Sequence, residues 1–567
     1  MLLAVTLLMT SCSAESVAAE RPSEKDELAI FAVGFTDVED GSARLVFTTN
    51  QPTRSQVKAD GASQPVLSTT DALSEIHAHV LEGLATDRET QITIEAVDAR
   101  GRTVRSGPHA ITAHTRPAQF DSFNHRTLIG VSHGADPRHW EQLGIGAYRL
   151  EVTWAILQPE AGVTDMDYLA SVVRDVEEMR RLNIEPLILL CYSVPWTKEW
   201  TDRQMTWRRP EFGPPDHLAD WKNYVRMVME ALRGKARLYE IWNEPDAGYL
   251  ATGNFIERPN LPPPIGRPPF QDNHEYWLGD RYVPLVRAAR EVADEVDPQI
   301  ALLNGGWNRD YHGWRAELCF QHGLHRYIQQ YAIHNYAGAP FHFDHWHHMT
   351  HDRYFTNIDR VFEQFNLNMP IAVTEWGTEL SETADGAVTE SDRQQFLLKS
   401  VFYYLSLERV NMLILHALQA GDKFSLMDPD SDEPTASYHT FGWLCRTFSD
   451  REYRTQTVEA ADDENVQIHA IRLADDDTVY VAVWSLRPDA DDQAAQSSLH
   501  RLVSLTMPIE GGGSYRLQNL DARGDIVSES KLEAHSGALR WQQELTSPEP
   551  GREPPVTLMR LTPKQTL

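Results

Sequence analysis

Eight short apolar runs, each followed by a polar or helix-like stretch, constrain this chain more than any other feature of its sequence. Between about Phe120 and Asp450 they read TLIGV, AYRLEV, PLILLCY, RLYEIW, IALLNGG, YAIHNY, PIAVTEW and MLILHAL. Segments between them, such as Asp167–Asn183 and Trp277–Val296, carry apolar residues at helical spacing. Strand–helix alternation repeated eight times implies an α/β architecture with a parallel sheet, and a (β/α)8 (TIM) barrel closes such a sheet on itself. A doubly wound sheet fits less well, because no glycine-rich phosphate loop follows the first run.

The flanks have a different texture. Residues 27–116 alternate apolar and polar positions, with turns at Asp60-Gly61 and Arg100-Gly101, the pattern of a small β-sandwich of the fibronectin type III kind. Residues 451–567 lose the helical spacing and read as a second β-sandwich, leaving 117–450 for the barrel. Residues 1–26 form an apolar start and a small, polar tether. LMTSC within them has the pattern of a lipobox, which predicts lipidation of Cys12 and export to the bacterial cell envelope, or secretion if Cys12 is incidental. The other cysteines, Cys191, Cys319 and Cys445, are odd in number, and Cys191 lies in an apolar run, so buried thiols are expected rather than disulfides. A formal net charge of -30 argues against nucleic acid as a partner, and against membranes except through the lipid.

The chemistry is carried by RLYEIWNEPD, Arg237–Asp246. An apolar strand, in which Glu240 is out of pattern, runs into a carboxylate, Glu244, and Pro245 then ends the ladder. In a barrel the C-terminal strand ends share one mouth, so Glu244 after the fourth strand faces Glu375 on the seventh. Two carboxylates across such a mouth suit cleavage of a glycosidic bond, which needs no metal and no cofactor.

WNEP and, later, TEWG resemble the acid/base and nucleophile motifs of clan A glycoside hydrolases, and YEIWNEP with an all-β tail is most similar to family 39, which contains β-xylosidases and α-L-iduronidases. The resemblance covers the barrel and the tail. It implies a retaining double displacement with Glu244 as acid/base and Glu375 as nucleophile. It also implies that Asn243 binds the sugar 2-hydroxyl, that Arg149 keeps the nucleophile ionised, and that Tyr336 hydrogen-bonds it. The chain departs from the family's pattern at Asp246, where Asn is usual, in the proline-rich loop 256–270, and in the histidine-rich segment Phe341–Tyr354. In that segment Trp346 is expected to stack on sugar rings; metal ligation by His347 and His351, four apart, is the alternative. His133, His334, Trp154, Trp196 and Trp376 lie near other strand ends and are either subsite walls or core aromatics. The expected partner is an oligo- or polysaccharide. The competing readings are a non-catalytic glycan-binding barrel and a metal-dependent hydrolase built on the histidines.

Overall fold

The computed structural model describes residues 28–36, 42–60, 66–84, 89–112, 126–134, 136–197, 213–246, 275–308, 310, 313–336, 351–381, 388–407, 409–428, 430–461, 466–485, 500–509, 512–546 and 555–564. Cys12, the proline-rich loop, Trp346 and His347 lie outside them.

All eight apolar runs are strands. In chain order, with five strands from β1 (Ile30–Thr36) to β5 (Thr103–Thr112) preceding them in the N-terminal sheet, they are β6 (Leu128–Ser132), β7 (Ala147–Thr153), β8 (Glu185–Cys191), β9 (Leu238–Ile241), β10 (Ala301–Asn304), β12 (Tyr331–Asn335), β13 (Ile371–Trp376) and β14 (Val410–Leu415). A two-residue strand, β11 (Trp307–Asn308), continues β10 beyond Gly305-Gly306 and pairs with β12. The order β10-β9-β8-β7-β6-β14-β13-β12-β11 is parallel throughout, a nearly closed barrel. Strands buried on both faces explain why the runs are continuously apolar.

The one seam lies between β10 and β12, and a side chain closes much of it. The Asn304 amide accepts from Ala332 N–H at 2.8 Å and donates to Ala332 C=O at 2.8 Å, so it takes the place of a peptide in the ladder. Gln329 N–H donates to Leu302 C=O at 2.9 Å below it.

Alternation along these strands stacks the barrel interior in layers. Ala147, Leu187, Leu303, Ala332, Ala372, Met412 and Ile414 pack as one apolar cluster. Two residues further along their strands, Ala147 gives way to Arg149, Ala332 to His334 and Ala372 to Thr374, while Leu238 leads in the same way to Glu240. Glu240 therefore obeys the strand period; it belongs to a polar layer above an apolar plug.

Helices cover the outside. The helix Met166–Arg181 turns Leu169, Val172, Val176 and Met179 to the barrel, and the Asp165 carboxylate caps it by accepting from Tyr168 N–H at 2.9 Å. The segment expected as one helix over Trp277–Val296 is split into a π-helical stretch, Glu275–Tyr282, and an α-helix, Val283–Val296. Pro284 sits in the first turn of the second piece, where a missing N–H does no harm.

In the N-terminal region five antiparallel strands are hydrogen-bonded into one connected set. The cause is the nineteen-residue β2 (Ser42–Asp60), whose first half pairs with β1 (Ile30–Thr36) and whose second half pairs with β4 (Glu89–Asp98). Its longest partner, β3 (Val66–Glu82), buries His77 and His79 while Val80 faces out, against simple apolar alternation. The rings stack on Phe47 and bond hydroxyls of β2: His77 Nε2 meets Thr53 Oγ1 at 2.9 Å and His79 Nε2 meets Ser55 Oγ at 2.8 Å. This sheet docks on the segment after strand four. Arg44 pairs with Asp280 at 3.3 Å, Gly34 abuts Pro284, and Arg287 lies over the Phe35 ring.

Beyond Asp450 two antiparallel sheets, of six and three strands, enclose a shared core that includes Val481, Leu505, Leu539 and Trp541. The six-stranded sheet packs its other face on the barrel helices through Ile471, Tyr480 and Trp484. Cys191, Cys319 and Cys445 are buried free thiols. Among the described residues no helix is long and apolar enough to cross a membrane.

The seam generates a stability prediction. Asn304→Ala leaves the Ala332 N–H and C=O without their partner, at about 1–3 kcal/mol for each buried group. Urea denaturation should show the barrel less stable by about 2–4 kcal/mol, and an unchanged midpoint would refute the role given to this amide.

Candidate active site

The C-terminal ends of β7, β9, β12 and β13 bring five of the expected residues together: Arg149, Asn243, Glu244, Tyr336 and Glu375. His334 joins them as the centre of the cluster. One ligand atom each from Glu244, His334 and Glu375 lie within 4.8 Å of one another.

The turn that presents Glu244 departs from ordinary backbone. Trp242 has φ 70° and Glu244 φ 43°, two non-glycine residues in the left-handed region on either side of Asn243. Such residues cost about 1–3 kcal/mol each and persist where the surroundings enforce them. Here Trp242 N–H donates to Leu190 C=O at 2.9 Å, Glu244 N–H donates to Gly305 C=O at 2.7 Å, and the Trp242 ring is fully buried against Tyr192 and Trp221. Tyr282 sits beneath the turn, its hydroxyl donating to Ile241 C=O at 3.0 Å and accepting from Gly305 N–H at 2.6 Å. The two glycines are required. A Cβ on Gly305 would lie 2.5 Å from Trp242 O, and one on Gly306 would lie 2.1 Å from His334 Nε2.

Arg149 organises the charges. Its Nε donates to Glu240 Oε2 at 2.6 Å, Nη1 to Glu375 Oε1 at 2.6 Å, and Nη2 to Asn243 Oδ1 at 2.8 Å. Fork geometry of this kind is what arginine offers and lysine does not. Although burial opposes its charge, the Glu240 and Glu375 carboxylates hold its pKa above the ordinary arginine value. Asn243 is fixed from its other end, where Nδ2 donates to Tyr192 OH at 3.1 Å. Tyr336 OH donates to Glu375 Oε2 at 2.6 Å. Burial would raise the Glu375 pKa, but the charges of His334, Arg149 and His416 and the Tyr336 hydrogen bond outweigh it and hold the carboxyl well below its usual range.

His334 is fully buried, with Nδ1 2.8 Å from Glu244 Oε1 and 3.4 Å from Glu375 Oε2. Nε2 lies 3.7 Å from Glu240 Oε1. Burial alone would lower its pKa, yet the surrounding carboxylates push it up to about 10, so the ring is an imidazolium at neutral pH. A donor N–H, not a lone pair, therefore faces Glu244. Glu244, His334 and Glu375 are spaced to hold a metal ion, but an ion would have to displace that proton.

The remaining expected residues divide. Trp154 and Trp376 are fully buried core aromatics; Trp154 stacks on Tyr224, and Trp376 packs against Phe396 and Tyr404. Neither presents a face to a ligand, so neither is a subsite wall. Trp196 is half-buried, its Nε1 donating to Gln158 C=O at 3.0 Å. His133 is exposed after β6, edge-on to His416 at 5.1 Å between ring centroids. Sequence reasoning missed four contributors: Glu240, Tyr192, Thr374, whose hydroxyl donates to Glu240 Oε1 at 3.0 Å, and His416, 6.2 Å from the Tyr336 ring. Only Glu240 left a signal, as a carboxylate inside an apolar strand.

No protein-family model matches the sequence. Over 156 residues, 26% of this chain, the sequence is 27% identical to beta-glucosidase 47 of Arabidopsis thaliana, and the match spans 26% of that protein's length. A solved family 39 glycoside hydrolase from the gut symbiont Bacteroides cellulosilyticus WH2 superimposes with a TM-score of 0.50 at 15% identity, covering 94% of this chain and 100% of that one. The exo-beta-1,4-mannosidase Op5Man5 from Opitutaceae bacterium strain TAV5 is similar over 59% of this chain and 62% of its own at 14% identity, with a TM-score of 0.42, too low to add to the argument.

Tyr336→Phe removes one charge-assisted hydrogen bond from Glu375, worth about 1.5–3 kcal/mol. Because that bond lowers the Glu375 pKa, its loss raises the pKa and moves the acid limb of kcat/KM to higher pH, with activity down roughly 10–100-fold. Arg149→Lys should shift the limb in the same direction. A pH–rate profile with an unmoved acid limb in both variants would show that these groups do not control Glu375.

The chain shares its fold with a family 39 glycoside hydrolase.

Proposed function

We propose that this chain is a retaining glycoside hydrolase in which Glu375 is the nucleophile and Glu244 the acid/base. The observation that carries the reading is a pair of carboxyl groups across the barrel mouth, an oxygen of each within 4.8 Å, with Glu375 bonded to Arg149 and Tyr336 and Glu244 bonded to His334. Retaining enzymes place their carboxyl groups about 5–5.5 Å apart, and inverting ones about 6.5–9.5 Å apart to admit a water. Two hydrogen-bond donors stabilise Glu375 as a carboxylate, the form that attacks an anomeric carbon. On Glu244, Oε1 accepts from His334 Nδ1, which assigns the transferable proton to Oε2. That proton goes to the departing oxygen as the Glu375–sugar bond forms; the resulting Glu244 carboxylate then takes a proton from the water that releases the sugar. Asn243, with its carbonyl on Arg149 and its amide on Tyr192, is held ready for the 2-hydroxyl. The substrate class is an oligo- or polysaccharide.

The layout that goes with this activity is a catalytic barrel over 117–450 between a fibronectin type III-like β-domain at 27–116 and a β-sandwich at 451–567. Cys12 is the lipid attachment site of an envelope protein, on the strength of LMTSC and the tether behind it. Wild-type protein expressed in a bacterium should fractionate with membranes, and Cys12→Ala protein should not. Equal partition of the two would dispose of the anchor.

The two glutamates are separated by substitution. Glu375→Ala should lose turnover of all glycosides, by a factor of about 10⁴ or more, since no covalent intermediate can form. Glu244→Ala should lose much less on dinitrophenyl glycosides, which need little proton donation; the glycosyl-enzyme then accumulates, and azide should speed its release to give a glycosyl azide of retained configuration. Product stereochemistry by NMR decides. Identical behaviour of the variants, or an inverted azide product from Glu244→Ala, overturns the roles.

A further inference from the structure

Two residues beyond Glu244 the chain places Asp246, a carboxylate that is 1% exposed and that the mechanism above does not use. Its surroundings form a closed motif around one peptide. Asn308 N–H donates to Asp246 Oδ1 at 3.0 Å, Arg315 Nη1 donates to Asn308 C=O at 3.1 Å, and Arg315 Nη1 also pairs with Asp246 Oδ2 at 3.1 Å. Asp246 and Arg315 thus grip both polar groups of Asn308 and hold each other.

Arg315 is itself fixed. It occupies the first turn of the helix Trp314–Gln321, where the fully buried Asp310 caps the helix by accepting from Arg315 N–H at 3.1 Å and Ala316 N–H at 2.9 Å. The guanidinium also lies over the Trp314 ring at 4.9 Å. Asn308 is not an arbitrary anchor. In the β11–β12 ladder it stands opposite His334, whose Nδ1 meets the Glu244 carboxylate. The backbone that carries Glu244 and the imidazolium that orients its side chain are therefore tied to the same pair of strands. Pro245, with its fixed φ, is the only residue between the anchor and Glu244.

We propose that Asp246, with Arg315, is a positioning residue for proton donation by Glu244. Asp246 holds the end of the left-handed turn so that Glu244 Oε1 stays on His334 and Oε2 faces the leaving group. The inference rests on Glu244 being the acid/base, and it extends that reading to a residue at which the chain departs from the usual sequence after the motif. Without the anchor, the turn relaxes from its left-handed conformation and the carboxyl loses its aim. Glu375 keeps its own bonds to Arg149 and Tyr336, neither of which runs through Asp246, so its attack changes less.

The test uses the full chain and its Asp246→Ala, Asp246→Asn and Arg315→Lys variants, with 2,4-dinitrophenyl, 4-nitrophenyl and phenyl β-D-xylosides and β-D-glucosides as probes. For Asp246→Ala, kcat/KM should fall tenfold or more on the phenyl glycosides and less than about threefold on the dinitrophenyl ones, since only the former depend on proton donation. Asp246→Asn should lie between, because an amide oxygen still accepts from Asn308 N–H while the ion pair between Asp246 and Arg315 is lost. A loss of equal size for every leaving group, with a matching fall in melting temperature, would mark Asp246 as merely structural and overturn the proposal. So would no loss. If Asp246→Ala does not fold, Asp246→Asn and Arg315→Lys carry the same comparison.

A readout independent of turnover is the low-field proton resonance of His334 Nδ1–H. It should be lost or moved in Glu244→Ala and shifted or broadened in the Asp246 variants; an unmoved resonance in the latter overturns the inference. Failure of the acid/base reading itself looks different: Glu244→Ala would then show no dependence on leaving group.

Discussion

A single buried guanidinium fixes the centre of this protein. Arg149 reaches three acceptors on two other strands, and each contact constrains a different requirement: Glu240 anchors the fork, Glu375 is kept ionised, and Asn243 is oriented. Burying charges is expensive unless each has a partner. In the barrel mouth Glu240 and Glu375 face Arg149 and the His334 imidazolium, and loss of any one leaves another uncompensated. The cluster therefore behaves as a unit, and effects of substitutions within it will not add.

The layering of the barrel explains why such a unit fits there. An apolar plug fills the lower interior, and the strand period sets the next inward positions in register above it. Polar side chains at Arg149, Glu240, His334 and Thr374 sit on a rigid floor with water excluded from below. The preorganisation attributed to such sites comes from this arrangement: donors and charges are already aimed before a substrate arrives.

Much of this was legible in the sequence. The eight runs gave eight strands, and motif spacing along them brought Arg149, Asn243, Glu244, Tyr336 and Glu375 to one mouth. What escaped was geometry that arises from contacts distant in the chain. Glu240 looked like an exception because strand alternation had no visible partner layer until the barrel closed. Trp154 and Trp376 carry the same residue type as a sugar platform, and only packing distinguishes a core ring from an exposed one. The N-terminal strands were recognised from alternation, but not that a single long β2 serves both halves of the sheet, since strand length alone does not reveal where partners change. His77 and His79 reversed the expected face because hydroxyls from β2 satisfy them.

The docking of that N-terminal sheet has a mechanical consequence. Arg44 grips Asp280, two residues before Tyr282, and the Tyr282 hydroxyl joins Ile241 to Gly305, which in turn holds the Glu244 amide. A tensile force on the N-terminal sheet has a route into the turn that carries Glu244, through the Arg44–Asp280 ion pair, the backbone from Asp280 to Tyr282 and the Tyr282 hydrogen bonds. The contacts of Glu375 with Arg149 and Tyr336 belong to other strands and lie off that route. Strain between the two ends of the molecule is thus borne unequally by the two carboxylates.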